Sequence, residues 1–397
     1  AVKAFSDTKT SLYELDQDKV RSLKPDLILT QTLCNVCAVN ERDVLRCLEE
    51  LEQHCEILDL PATSLTDVLD DSSAIWKATG RCDSGIRARK AIDYTRHLLL
   101  HEGVHSLAYH LFNGAGPTWF QEGSAELLAT HHGSGPEIKI NQIPQSREDA
   151  PYWGRFKRMG QATKSSEVPS INAVLGYQPN LTGDVATYSW SWAACMILSS
   201  YPEYRSAFVT AAQRGNETGP AFNRELQSTL AKQWPILAAR WRLACHDLNY
   251  GFDWNREQVK LSAKDPVWNG SDLKLQVRPD QGWQSCGVRI PRGAKISISA
   301  EGEITLANQP KPWTSQPAGI TFQYHRGRPL GQLQFCLLPN ANDPQAKRIE
   351  PLEIQGVEDQ SMVNVPEYSW LLFRINDECG KMNDNRGSYQ VSIKRAR

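Results

Sequence analysis

The feature that most constrains this chain is residues 96–132, RHLLLHEGVHSLAYHLFNGAGPTWFQEGSAELLATHH, which reads as two helices joined by a tight turn. His101 and His105 lie four residues apart, so on a helix they share one face and aim two imidazole nitrogens at one point. Glu102 lies beside them, placed to take a proton from a water held at that point. Leu98, Leu99 and Leu100 lead in and Leu107, Ala108 and Leu111 follow, which predicts an apolar face to bury. Asn113-Gly114-Ala115-Gly116-Pro117 supplies a helix stop and a turn. A second helix starting around Pro117 to Trp119 then runs back past the first and carries Glu122 towards the histidines. A catalytic zinc site takes three protein ligands and keeps one open position, and His101, His105 and Glu122 supply the three. Glu126, one turn beyond Glu122, suits a hydrogen bond to the other ring nitrogen of His101. The plainer alternative is a buried amphipathic helix with satisfied histidines.

His101-Glu102-Gly103-Val104-His105 followed by Trp119-Phe120-Gln121-Glu122-Gly123-Ser124-Ala125-Glu126 resembles the gluzincin metallopeptidases, most closely the bacterial peptidase-MA-like domains that read HExxH…WxxEGxAE. The resemblance implies zinc on His101, His105 and Glu122, with Glu102 as general base in the hydrolysis of a peptide or protein substrate. Zinc lowers the pKa of a bound water, and a carboxylate can take its proton and deliver it to the departing amine. In the same families a helix opening with Tyr and Trp packs under the site. Tyr188 is therefore the candidate oxyanion donor, against the alternative of a plain core aromatic. No signature of an N-terminal amine anchor is present, which favours an endopeptidase. Gluzincins lay the substrate along the edge strand of a small sheet preceding the HExxH helix. Here residues 91–100 run directly into the motif, so that sheet must come from residues 1–90 or be absent.

With 40% hydrophobic and 22% charged residues, the chain has the makeup of a globular protein able to bury several cores. Its 44 basic and 45 acidic residues give no reason to expect nucleic acid or an anionic membrane as partner. The longest nearly apolar run, Trp190 to Leu198, is too short to span a bilayer. No signal peptide is readable after Ala1, and the expectation is a secreted, periplasmic or cell-surface bacterial protein. Cys34 and Cys37 form a CxxC with no second CxxC to complete a zinc knuckle, so they read as ordinary thiols. Cys286, Cys336 and Cys379 are an odd set, so at least one is free or pairs outside its domain.

Residues 1–90 read as a short α/β segment. Asp26 to Thr30 and Glu56 to Leu60 are strands, with helices over Glu41 to Cys55 and from Leu65 to Gly80. Strand, helix, strand implies a parallel pair with a right-handed crossover. This segment resembles part of the first lobe of a periplasmic cobalamin or metal-chelate binding protein. The opening strand and the second lobe are missing, so the resemblance implies a scaffold rather than a working ligand module.

Residues 91–255 read as a mostly helical, zincin-like domain. His131 and His132 are surface residues in this reading, His110 is turned partly away from His105, and residues 133–182 are loop-rich, with Trp153 and Tyr177 lining a cleft or pinning the loop. Tyr188 to Leu198 is a buried helix, and Pro235 breaks or kinks the helical spacing that runs from Leu226 to Leu248. Residues 267–397 alternate with period two at Lys295–Ala300, Ile320–Tyr324 and Tyr389–Ile393 between Gly and Pro clusters, which argues an antiparallel β-sandwich. GITFQYHRGRPLGQL and LLFRINDECGKMNDNRGSYQVSI resemble the LecA-like galactophilic lectins. That resemblance implies a calcium ion on Asp377, Asp384 and Asn385, with Lys381 at a backbone-carbonyl position, and a glycan partner. The first lectin loop is not recognisable near Glu301 to Trp313, and an Asn/Asp-rich turn is the plain alternative. The whole is an α+β multidomain chain. It reads as a zinc-dependent peptide hydrolase, or alternatively as a non-catalytic glycan- or surface-binding protein whose helical domain is a support.

Overall fold

The computed structural model describes residues 16–30, 55–60, 84–133, 137–150, 153–178, 184–309, 311–339, 345–357 and 360–396, with isolated positions between 44 and 79. The chain divides into two compact units, residues 1–96 and 97–397. In the first, helix α1 (Gln17–Leu23) is capped by Asp16, whose carboxylate accepts from Lys19 N at 3.0 Å. Strands β1 (Leu27–Thr30) and β2 (Glu56–Asp59) pair in parallel, with Leu27 opposite Glu56. Both strands and their orientation follow the sequence expectation. The two expected helices of this unit, and the Cys34/Cys37 pair, lie outside the described residues.

Helix α2 (Ser84–Phe112) carries the HExxH residues, and α3 (Thr118–Ala129) carries Glu122 and Glu126. Between them Asn113 has φ 55° and Gly116 φ 80°, a left-handed stop that ends α2 and reverses the chain. Gly116 N donates to Gly215 O at 2.8 Å, which pins the turn to a distant loop. The expected apolar face of α2 is corrected by the structure. Leu98, Leu99, Leu107 and Leu111 are 41–57% exposed, whereas His97 and His101 are buried. Positions 97, 101 and 105 are successive turns of one stripe, and the acids of α3 hold that stripe inward, so the leucines fall on the outer side.

The helical core is organised by α6 (Val185–Ser200), capped by Asp184 and buried along most of its length. Around it lie α4 (Arg155–Lys164), α5 (Ile171–Leu175), α7 (Pro202–Ala212), α8 (Pro220–Thr229), α9 (Trp234–Asp247) and α10 (Trp254–Glu257). Trp153 stacks edge-on against Trp192 at 4.9 Å and is 2% exposed, so it pins its loop to the core rather than lining a cleft. Pro235 does not kink a helix: it sits in the first turn of α9, where the N–H it lacks would have no partner. α3 packs against α6 at Gly123, where a Cβ would fall inside contact distance of Ser191 O and Cys195 Sγ. Gly123→Ala is therefore expected to push α3 off α6, to cost about 1–3 kcal/mol and to weaken metal uptake at Glu122. Urea unfolding with parallel metal titration checks this; full stability in the variant would mean the helices have room to spare.

The C-terminal third is an antiparallel β-sandwich. One sheet orders β13 (Ile354–Gly356), β12 (Leu333–Pro339), β15 (Ser369–Ile375) and β6 (Gln284–Ile290); the other orders β14 (Ser361–Asn364), β7 (Lys295–Glu301), β17 (Tyr389–Arg395) and β5 (Leu273–Val277). Ile296, Ile298, Phe335, Phe373, Val391 and Ile393 fill the space between them. A small sheet of β16 (Arg386–Gly387), β8 (Ile304–Ala307) and β9 (Trp313–Ser315) and a hairpin of β10 (Ile320–His325) and β11 (Arg328–Leu330) flank it. β3 (His131–His132) pairs with β4 (Lys139–Ile140) beside the helices, leaving both histidines half-buried rather than fully on the surface. Cys286, Cys336 and Cys379 are all free thiols.

The helical layer and the sandwich are not separate bodies. Ile236, Ala239 and Leu243 of α9 pack on Cys336, Leu338, Trp370 and Leu372 of the sandwich in one buried cluster. The last residue of α9, Asp247, is 2% exposed and ends among sandwich side chains. It accepts from Trp283 Nε1 at 2.7 Å, Arg374 Nη1 at 2.6 Å and Arg326 Nη1 at 3.0 Å.

Candidate metal centre

The turn at 113–117 and the packing of α3 on α6 bring three candidate ligands together. His101 Nε2 lies 3.1 Å from His105 Nε2 and 3.3 Å from Glu122 Oε2, and His105 Nε2 lies 3.7 Å from the same oxygen. His101 and Glu122 are buried and His105 is half-buried. Behind them His101 Nδ1 meets Glu126 Oε1 at 3.1 Å, so Glu126 stands where the sequence put it. Tyr188 borders the cluster, its ring 6.1 Å from that of His101. Glu102 is exposed beside it and takes no place among the grouped donors.

Two residues that sequence reasoning passed over complete the arrangement. His97 Nε2 lies 3.3 Å from Glu126 Oε2, and its Nδ1 lies 3.1 Å from Ala129 O. The signal was present, since His97 is four residues before His101 on the same stripe. The Arg155 guanidinium, at the start of α4, is ion-paired with Glu126 and lies over the Trp153 ring. Nothing near the motif announces it.

The charges are closely balanced. Burial pushes the Glu122 carboxyl up, but hydrogen bonds and charge from His101 and His105 outweigh it and hold the group at about 2. Burial pushes His101 down, and its hydrogen bonds to Glu122 and Glu126 reverse this and raise it to about 9. Burial also pushes Glu126 up, and the Arg155 charge with the two histidines holds it well below the usual carboxylate range. A raised histidine stabilises the fold fully below its unfolded value of 6.5, and that share is lost as pH climbs through about 9. A lowered glutamate stabilises above 4.5, and its share is lost as pH falls towards about 2. Chelator-treated protein is therefore expected to melt progressively earlier from pH 6.5 to 9. Thermal unfolding across that range checks it, and a flat profile would mean that His101 carries no extra proton.

The donor set fits a divalent cation of zinc's size. Tetrahedral ligands about 2.0–2.1 Å from such an ion stand about 3.3–3.4 Å apart, close to the three separations found. A second grouping, His97, His101 and Glu126, also brings its donor atoms within 4.8 Å of one another. It suits a cation poorly, because the Arg155 charge already occupies Glu126. With His101 Nδ1 turned to Glu126, its Nε2 is left facing His105 and Glu122, which selects the first grouping.

In the sandwich, Asp377 and Asn385 come together: Asn385 Nδ2 donates to Asp377 Oδ2 at 2.9 Å, and both are buried. Asp384 is exposed, at the end of a short 3₁₀ turn (Cys379–Asp384), and Lys381 Nζ pairs with Glu378 at 2.9 Å. The structure thus joins two of the three residues expected at a calcium loop.

Fold and site define an α+β chain with a buried histidine–glutamate cluster able to hold a metal ion and a C-terminal antiparallel sandwich. No family model and no curated protein sequence matches it. Among solved structures it is similar to the EclA N-terminal domain, a PllA-like lectin, at 20% identity over 31% of this chain and 96% of that one, with TM-score 0.24. It is also similar to PliG of Aeromonas hydrophila, a periplasmic inhibitor of g-type lysozyme, at 10% identity over 35% of this chain and 96% of that one, with TM-score 0.18. Among the described residues, no helix is long and apolar enough to cross a membrane.

Proposed function

We propose that this chain is a metal-dependent peptide hydrolase of gluzincin type, with zinc as the cation and His101, His105 and Glu122 as the residues that hold it. The observation that carries the reading is the spacing of their three donor atoms, 3.1, 3.3 and 3.7 Å, which is close to one face of a tetrahedron of ligands around a zinc-sized ion. A cation held there acidifies water and polarises a carbonyl oxygen. Glu102, exposed one residue from His101, accepts the water's proton and returns it to the departing amine. Glu126 fixes the ring of His101, and Arg155 and His97 hold Glu126 in turn. The Tyr188 phenol, beside His101, is the donor for the developing oxyanion.

The test is elemental analysis of purified protein together with turnover of an unstructured protein substrate, with and without chelator. One zinc per chain and chelator-sensitive cleavage are expected; absence of bound metal would sink the reading. Metal without cleavage would favour the second reading, a glycan-binding protein of the cell exterior. One feature supports that second reading. Phe322 and Tyr324 of β10 are 74% and 59% exposed, with Trp313 edge-on to Phe322 at 5.8 Å, an aromatic surface of the kind sugars stack on.

A further inference from the structure

The end of α9, the faces of β12 and β15 and the β10–β11 hairpin enclose a cavity of about 230 Å³ that the metal centre does not use. Its walls include Arg326, Arg328, Arg374, His246, His325 and Gln334, and among the described residues no carboxylate lines it. Two of the guanidiniums, Arg374 and Arg326, share the single carboxylate of Asp247 beneath the wall, at 2.6 and 3.0 Å. The third, Arg328, donates to a neutral carbonyl, Ile354 O, at 2.6 Å. The other buried acid nearby, Glu257, is pushed up to about 7 by burial, so it offsets little of this charge in acid solution. His325 records the same surplus: burial pushes it down, and the charges of Arg326 and Arg374 take it further, to about 4. The cavity therefore presents fixed positive charge with a neutral imidazole.

A second observation points into the same space. Gln334 is 4% exposed and lines the cavity, and among the described residues its side-chain amide has no hydrogen-bond partner. Crowded guanidiniums are costly, and an oxyanion answers them, and the amide that opens into the cavity, through charge-assisted hydrogen bonds. We propose that this cavity binds the oxyanion group, phosphate or carboxylate, of a small acidic molecule, held by Arg328, Arg326 and Arg374 with Gln334 donating its amide. The volume admits such a group with a compact polar body and excludes a polymer. The site is independent of the peptidase reading, since no residue is common to the two.

Calorimetric titration of the full chain with inorganic phosphate, glucose 6-phosphate and glucuronate, in chloride buffer of constant ionic strength, tests the proposal. Saturable binding of one equivalent of at least one of these is expected. Gln334→Glu, which keeps the shape and adds a negative charge, is expected to weaken it at least about tenfold and to raise the ligand-free melting temperature, since the added carboxylate itself answers the guanidiniums. Arg328→Gln is expected to weaken binding likewise, and it carries the test if Gln334→Glu does not fold. Preference for phosphate over glucuronate identifies a phosphate ligand, and the reverse a carboxylate. No saturable binding of any of the three, or wild-type affinity in both variants, overturns the site.

Discussion

Asp247→Ala is expected to destabilise the 97–397 unit by about 3–5 kcal/mol, the usual cost of removing one partner of a buried ion pair. Asp247 closes α9 and is 2% exposed, and its carboxylate joins Trp283, Arg326 and Arg374 of the sandwich to the helical layer. Arg374 is itself 3% exposed, so truncation strands a buried guanidinium and an indole N–H together. A loss of that size is a large part of the roughly 5–15 kcal/mol that holds a typical domain folded. One group can soften it. Glu257 is raised to about 7 by burial, with the Asp247 charge adding to the rise and the Arg374 charge opposing it. Once Asp247 is gone, Glu257 ionises more readily and becomes the counter-charge for Arg374. The loss should therefore be larger at pH 5 than at pH 8, and Asp247→Ala/Glu257→Gln should abolish that difference. Urea unfolding of the three proteins at both pH values decides it. A cost under about 1 kcal/mol at both would mean that apolar packing alone joins the two layers.

That junction shows where sequence stops being informative. A buried aspartate and a surface aspartate look alike in a chain with 45 acids, and their partners lie 36 to 127 residues away. Helices give way to strands between Glu257 and Leu273, inside a single compact unit. Periodicity says nothing about whether the two layers share a core. The same limit explains β10, where Phe322 and Tyr324 are exposed and a register shift between Ile320 and Tyr324 interrupts the alternation seen in the sequence. It explains α2 as well, where leucine count predicted the wrong inward face. There the polar stripe won, because Glu122 and Glu126 of α3 offer it charge and hydrogen bonds that leucines cannot use. What was legible was local chemistry at fixed spacing. His101, His105, Glu122 and Glu126 meet as their spacing in the chain required, and Gly123 is glycine because α3 lies against α6 there. His97 was legible by the same rule and was missed; Arg155 was not, since it enters from another helix.

Glu102→Gln is expected to lower kcat/KM by about 10²- to 10⁴-fold, the usual worth of a positioned general base, while metal content stays at the wild-type level. The two effects separate because of where Glu102 stands. It is exposed, and it is absent from the donor atoms that converge between α2 and α3, so an amide in its place removes a proton acceptor and no ligand. The substitution is isosteric and falls at an exposed position, so it leaves the packing of α3 on α6 untouched. Glu122→Ala should do the opposite, because it removes one of three ligands and leaves His101 and His105 facing an unfilled corner. Metal should then be lost on dialysis, with activity falling in proportion. Measuring metal content and turnover on both variants distinguishes a failed base from a failed site. Unchanged hydrolysis in Glu102→Gln removes the general base from the mechanism. Loss of metal in that same variant would place Glu102 among the ligands and leave the proposed mechanism without its proton acceptor.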